Sequence, residues 1–200
     1  MADPARANDN RALILAAARA LFARHGYSRV TMNDIARSVS MGKSSLYHYY
    51  PGKKQLLRAV LRKEADTVRS RIEHALSAAR APADKLRAYA VARMKGLKNL
   101  AGVFKSFRDD YLRNYECIDA IRREYDRYEI ETLAGILREG VAAGVFEIRD
   151  IEVTAVAVAT ALKGLEYDWS LRLSEEDIER NISILTDVLI RGIASRKGTS

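Results

Sequence analysis

Along nearly all of this 200-residue chain, apolar residues recur at three- and four-residue steps, and no segment sustains a two-residue alternation. Stripes of that period can be buried only helix against helix, so the expected fold class is all-α. The joints are marked locally. A first helix is predicted from Asn8 or Asp9 to about Arg24, with Ile14, Ala17, Leu21 and Phe22 as its stripe. His25-Gly26 ends it, Gly26 being suited to a left-handed position. Thr31-Met32-Asn33-Asp34 opens a short second helix ending near Val39, with Thr31 as cap and Asp34 reaching back to it. Ser40-Met41-Gly42 forms a turn, a third helix spans Lys43 to about Tyr49, and Tyr50-Pro51-Gly52 stops it. A long fourth helix follows over 53–79. Further helices are predicted over 82–100, 103–113, 116–140, 151–170 and 175–195, about nine in all. Pro82, Asp150 and the pair Ser174 and Asp177 mark starts, and Gly144 marks a break. The tail from Ser195 is expected to fray. The expected division is a helix-turn-helix module over 1–52 and a larger helical body over 53–200, with the fourth helix as connector.

The charge is segregated between these parts. The chain carries a net +8, yet residues 1–63 hold 12 Lys and Arg against 3 Asp, whereas the remainder holds 22 basic against 23 acidic residues. A basic module on a near-neutral body suits a phosphate backbone, although a solvated basic surface has the same composition. The single cysteine, Cys117, permits no intramolecular disulfide, which fits a reducing compartment. The polar N-terminus has no signal-peptide core, and the longest uncharged run, Val153 to Leu162, is far short of the roughly 20 residues of a membrane-spanning helix. A cytoplasmic protein with no membrane partner is expected.

The most informative segment is Thr31 to Leu57. Ile35, Val39, Leu46 and Tyr50 fall where they pack two short helices against Phe22 and Tyr27. Lys43, Ser44, Ser45, Tyr47 and His48 then lie on the opposite face. A major groove admits one helix, and small hydroxyl residues at its start allow close approach. Lys43 can reach guanine acceptors or phosphate, Ser44 and Ser45 can bond base edges, and Tyr47 and His48 can donate to phosphate. Lys53, opening the fourth helix, adds its charge to that helix's N-terminal dipole, which favours a phosphate.

Residues 9–60 resemble the DNA-binding domain of the TetR (tetracycline repressor) family. The stretch from Thr31 to Arg37, and that from Lys43 through Tyr47-His48 and Lys53 to Leu57, are similar to the family signature almost position by position. The resemblance implies contacts to double-stranded DNA from Thr31, Met32, Lys43, Ser44, Ser45, Tyr47, His48 and Lys53, with Tyr50 as core aromatic and Tyr49 in either role. Lys54, Arg58 and Arg29 are expected to supply general field. One departure concerns the turn: the family usually has glycine where this chain has Ser40, and a polar residue where it has Gly42. Where the turn places its left-handed residue is therefore open.

In the body, the helix over 151–170 carries Val153, Val156, Ala157, Ala159, Thr160 and Leu162 on several sides. The helix over 175–195 carries Ile178, Ile182, Leu185 and Leu189 on one stripe, with Ile184 and Val188 beside it. That is more apolar surface than one core needs, so a homodimer is expected, and the family pairs these two helices with their symmetry mates. The interface expected is Val156, Thr160, Ile178, Ile182, Leu185 and Leu189. The resemblance also implies an effector cavity, for which Tyr89, Met94, Phe104, Phe107, Tyr111, Tyr125 and Tyr128 are candidates. Arg93, Arg108 or Arg123 can orient a polar ligand, and Trp169 can line the cavity or the dimer seam.

Two other classes compete. An enzyme finds little support, since His25, His48 and His74 form no zinc motif and neither a nucleophile elbow nor a phosphate-cradling glycine loop is present. Neither cofactor nor metal is expected, and Cys117 is expected to pack. A nonspecific DNA-binding protein would lack preference for any one duplex. The function expected is a regulator, repressor by family default, that leaves a palindromic operator when a largely hydrophobic small molecule binds its body.

Overall fold

A computed structural model describes the backbone of residues 4–98 and 111–195, and the side chains of these residues except 4–7, 111–119, 167, 170 and 171. Among them are eight α-helices and no strand: α1 (Pro4–His25), α2 (Met32–Ser38), α3 (Lys43–Tyr49), α4 (Lys53–Ala78), α5 (Pro82–Lys98), α6 (Tyr111–Ala142), α7 (Ile151–Arg172) and α8 (Glu175–Ile193). They form two compact units, divided within α4 between Ala65 and Asp66 and within α6 between Arg122 and Arg123. The dividing line thus falls one half-helix later in α4 than the expected boundary at residue 52.

The first unit, the head, has one closed core. Ile14, Ala18 and Phe22 from α1 meet Ile35 and Ala36 of α2, Leu46 of α3, and Leu56, Leu57 and Val60 of α4. Tyr27, Val30 and Tyr50 fill the spaces between the helices, and Ile121 of α6 packs against the same cluster. Helices α2 and α3 have seven residues each, too few to persist alone, so this core is what holds them. The start of α1 differs from expectation: it begins at Pro4, and Asn8 and Asp9 lie inside it. Proline is at ease in a first helical turn, where its missing N–H has no partner to lose.

In the second unit, the body, α5 packs against both α7 and α8. Leu86, Tyr89, Ala90, Met94, Leu97, Leu133, Leu137, Leu162, Ile178 and Ile182 are buried there. After α6 the chain turns at Gly144, whose φ of +69° is left-handed. Phe146 then folds back over Gly140, where an added Cβ would stand 2.0 Å from the ring. Glu147 N–H donates to Ile193 O at 2.8 Å and Ser195 N–H to Val145 O at 3.0 Å, which ties this turn to the end of α8. Asp150 and Ser174 cap α7 and α8 through side-chain oxygens, as their positions imply.

The long helix α6 begins at Tyr111 rather than near residue 116. No glycine or proline stands between Tyr111 and Glu116 to stop it. Of the separate helix expected over 103–113, residues 103–110 lie outside the described residues, as do Phe104, Phe107 and Arg108. Residues 196–200 of the expected frayed tail lie outside them too.

Candidate nucleic-acid interface

Local chemistry sets the frame of the head. Gly26 closes α1 with φ +81°, and its N–H donates to Phe22 O at 3.0 Å. Thr31 caps α2 reciprocally: its hydroxyl accepts from the Asp34 N–H at 3.2 Å, and its own N–H donates to Asp34 Oδ2 at 2.9 Å. The Thr31 hydroxyl also donates to that carboxylate at 2.6 Å, which holds the Asp34 carboxyl below the usual aspartate range. At the other end of α2, Ser40 takes the left-handed position with φ +50°. Met41 N–H donates to Ala36 O at 2.9 Å and Ser40 N–H to Arg37 O at 3.1 Å, the bond pattern of a Schellman stop. Gly42 is left with an extended φ of −65° as the N-cap of α3. At the departure, Ser40 itself adopts the left-handed conformation, and Gly42 does not.

This frame turns α3 on its axis. Leu46 is fully buried and Tyr50, just beyond the helix, nearly so, whereas Lys43, Ser44, Ser45, Tyr47 and His48 are all exposed. The Lys43 ammonium stands 5.9 Å from the centre of the Tyr47 ring, one turn on. Arg29, Arg37, Lys54 and Arg58 are exposed on the same unit. Tyr49 is half-buried, accepts from Asn10 Nδ2 at 3.0 Å and lies beside Arg11, so its ring serves the packing of α3 on α1. Burial pushes the Tyr50 phenol up, against the pull of the Arg11 guanidinium.

Two residues of the expected DNA-facing set are placed otherwise. Met32 is buried in the head core, because the first residue after the Thr31 cap falls on the inner face of α2. Its side chain cannot meet a duplex. Lys53 is half-buried, and its ammonium donates to the carbonyl oxygens of Tyr27 at 2.7 Å, Ser28 at 3.3 Å and Val30 at 2.7 Å. The same ammonium stands 4.3 Å from the centre of the Tyr27 ring. Thr31 is exposed at the start of α2.

Residues 14–60 match the profile of the bacterial regulatory proteins of the tetR family. The chain is 27% identical over 158 residues to the HTH-type transcriptional repressor KstR2 of Mycolicibacterium smegmatis, covering 76% of this chain and 75% of that protein. A bacterial regulatory protein of the tetR family from Rhodococcus RHA1 superposes with a TM-score of 0.69 at 25% identity, over 92% of this chain and 97% of the other. A transcriptional regulator from Cytophaga hutchinsonii superposes with a TM-score of 0.72 at 24% identity, over 92% and 98%. Residues 14–60 are thus a DNA-binding segment of the tetR type, and most of the chain is similar to DNA-binding transcriptional regulators of that family.

In the body of the regulator, the residues expected to line a cavity are dispersed. Tyr89 and Met94 are completely buried, and Tyr125 and Tyr128 are half-buried. Tyr111 opens α6, with its side chain outside the described residues. Tyr89 and Tyr125 instead belong to a buried polar cluster. Arg93 of α5 grips Glu129 of α6 through Nε and through Nη2 at 3.2 Å, and Nη2 also reaches Glu166 of α7 at 3.3 Å. The Tyr89 hydroxyl donates to Glu129 at 3.2 Å, while the buried Tyr125 hydroxyl has no hydrogen-bond partner among the described residues. Burial opposes the Arg93 charge, but Glu129 more than restores it and the guanidinium is held above its ordinary value. Burial pushes both phenols up. Glu129 was not foreseen, though it follows Tyr125 by one turn on the inward stripe of α6, where a carboxylate requires a partner.

The expected dimer residues also divide. Ile178 and Ile182 are fully buried in the body's own core and cannot face a second subunit. Val156, Thr160 and Leu185 are exposed, and Leu189 is half-buried. The outer face further includes Val153, Ile184 and Val188, which are 63%, 59% and 64% exposed. An apolar groove of about 340 Å³ lies among α5, α7 and α8, with Leu86, Ala90, Val158, Leu162, Leu185 and Leu189 in its walls. Among the described residues no helix is long and apolar enough to cross a membrane.

Proposed function

We propose that the regulator is a homodimeric, cytoplasmic repressor that holds an operator of two inverted half-sites and leaves it when a largely apolar small molecule binds in the body. The carrying observation is α3, a seven-residue helix that sinks Leu46 into the core and presents Lys43, Ser44, Ser45, Tyr47 and His48 together. Ser44 and Ser45 read base edges, Lys43 reaches a guanine or a phosphate, and Tyr47, His48 and Thr31 bond the backbone. Repression is favoured by the likeness to KstR2, a repressor by name.

The second copy is the occupant assigned to the outer face of α7 and α8. Val153, Val156, Ile184, Leu185 and Val188 are large apolar side chains left exposed on these two helices, which a second copy would cover, and a two-fold dimer suits a two-fold operator. The effector is assigned to the body, where Arg93, Glu129 and the unpartnered Tyr125 hydroxyl offer a polar anchor amid apolar side chains. Binding acts by differential affinity for two body geometries, relayed through α4, which contributes residues to both units.

The test is selection of bound duplexes from a randomised pool by the full-length protein. The expected winners carry inverted repeats whose half-site centres lie about 10 base pairs, or a multiple of that, apart. Winners without a repeat would rule out the dimeric operator.

A further inference from the structure

We infer that Lys53 is a positioning residue for DNA recognition, fixing the start of α2 from the first turn of α4, and that it neutralises no phosphate. The inference rests on DNA binding by α3 but concerns a different residue and a different role.

A lysine ammonium has three hydrogens and no acceptor. Here they are directed at three carbonyl oxygens, those of Tyr27, Ser28 and Val30, at 2.7, 3.3 and 2.7 Å. These carbonyls belong to the loop between α1 and α2, beyond the reach of either helix's own hydrogen bonds. Tyr27 and Val30 are buried, so their carbonyls need partners, and one cation serves them all. The face of the Tyr27 ring, 4.3 Å away, adds a further attraction that holds the charge inward. No hydrogen of this ammonium is left to aim at a duplex.

The position of the clamp explains its consequence. Val30 immediately precedes Thr31, whose reciprocal bonds with Asp34 start α2. The stop of α2 at Ser40 in turn leads through Gly42 into α3. Fixing the Val30 carbonyl from Lys53 therefore fixes where α2 begins and, two short steps later, how α3 is presented. Arginine is the decisive replacement. It keeps the charge and bonds a phosphate at least as well, but its planar fork cannot converge on three carbonyls around one atom.

The experiment compares wild type, Lys53→Arg and Lys53→Met on one selected operator duplex, well below their melting temperatures, over a range of salt. Lys53→Arg is expected to bind at least tenfold more weakly despite its charge. The slope of log affinity against log salt is expected to match wild type in both variants. The Thr31 amide is expected to exchange faster in both. Wild-type affinity in Lys53→Arg would overturn the inference. So would a slope reduced by about 0.9 in Lys53→Met, the signature of one lost phosphate contact. A weakened Lys53→Arg whose Thr31 amide stayed as protected as in wild type would overturn it as well. If Lys53→Met fails to fold, the arginine variant carries the decision alone. Wild type showing no preference for the operator would refute DNA recognition itself, whatever Lys53 does.

Discussion

The head and the body treat polarity in opposite ways. The head buries no charged residue fully: every buried charged residue among those described lies in the body, α3 presents Lys43 and His48 outward, and Lys53, half-buried, turns its ammonium onto loop carbonyls. The body does the reverse. It buries Arg93 and Glu129 at 1% exposure each, and leaves Val153, Ile184 and Val188 more than half exposed. A folded chain gains nothing by itself from either arrangement, because exposed large apolar groups forgo burial and buried charges forgo hydration. On the proposed reading a second copy covers the apolar flank and a ligand answers the Tyr125 hydroxyl, while the outward charges of the head suit a polyanion.

The comparison can be broken first at the flank. Ile184→Asp with Val188→Asp is expected to weaken dimerisation on the order of a thousandfold or more, since each carboxylate would be buried at the seam at a cost of several kcal/mol. Sedimentation at several concentrations would show it, and an unchanged dimer would remove this face as the interface. Next comes the interior. Arg93→Met leaves Glu129 buried without its cation and should destabilise the body by about 3–5 kcal/mol in urea unfolding. A loss below about 1 kcal/mol would mean that the charge is not held as buried as it stands. At the head, Lys43→Met should cost about 1–3 kcal/mol of operator affinity while leaving dimerisation untouched. Ser40→Gly relieves a left-handed non-glycine residue and should stabilise the head by less than about 1 kcal/mol, glycine's own entropy offsetting part of the gain.

The smallest effect expected is one of pH. Asp34 is held below its ordinary value in the folded head by the Thr31 hydroxyl. Its contribution is therefore complete above the unfolded value of 3.8 and is lost as pH falls through the lower folded value. Asp34→Asn should flatten the acid limb of head unfolding, and an unaltered limb would mean that the capping box does not respond to charge.

What the sequence disclosed follows the same division. Gly26, the Thr31–Asp34 box and the limits of α3 were legible because each depends on residues within one or two turns. The outward set on α3 was legible because Leu46 and Tyr50 fix its phase. The carbonyl partners of Lys53 were not legible because they lie 23 to 26 residues away, and only the packed loop reveals them. Ile178 and Ile182 were misassigned because α8 is apolar on more than one side. Periodicity gives the stripes, but only contact with α5 decides that Ile178 and Ile182 turn inward while Ile184 and Val188 turn outward. The Arg93–Glu129 pair spans 36 residues and left only Glu129's odd place on an apolar stripe as a trace.

The most direct test is a competition by fluorescence anisotropy at fixed salt, between a selected operator duplex and a shuffled duplex of identical composition, with wild type and Lys43→Met run together. Wild type should prefer the operator by a factor on the order of a thousand or more, and Lys43→Met should lose much of that preference. Equal affinity of wild type for the two duplexes would contradict sequence reading by α3.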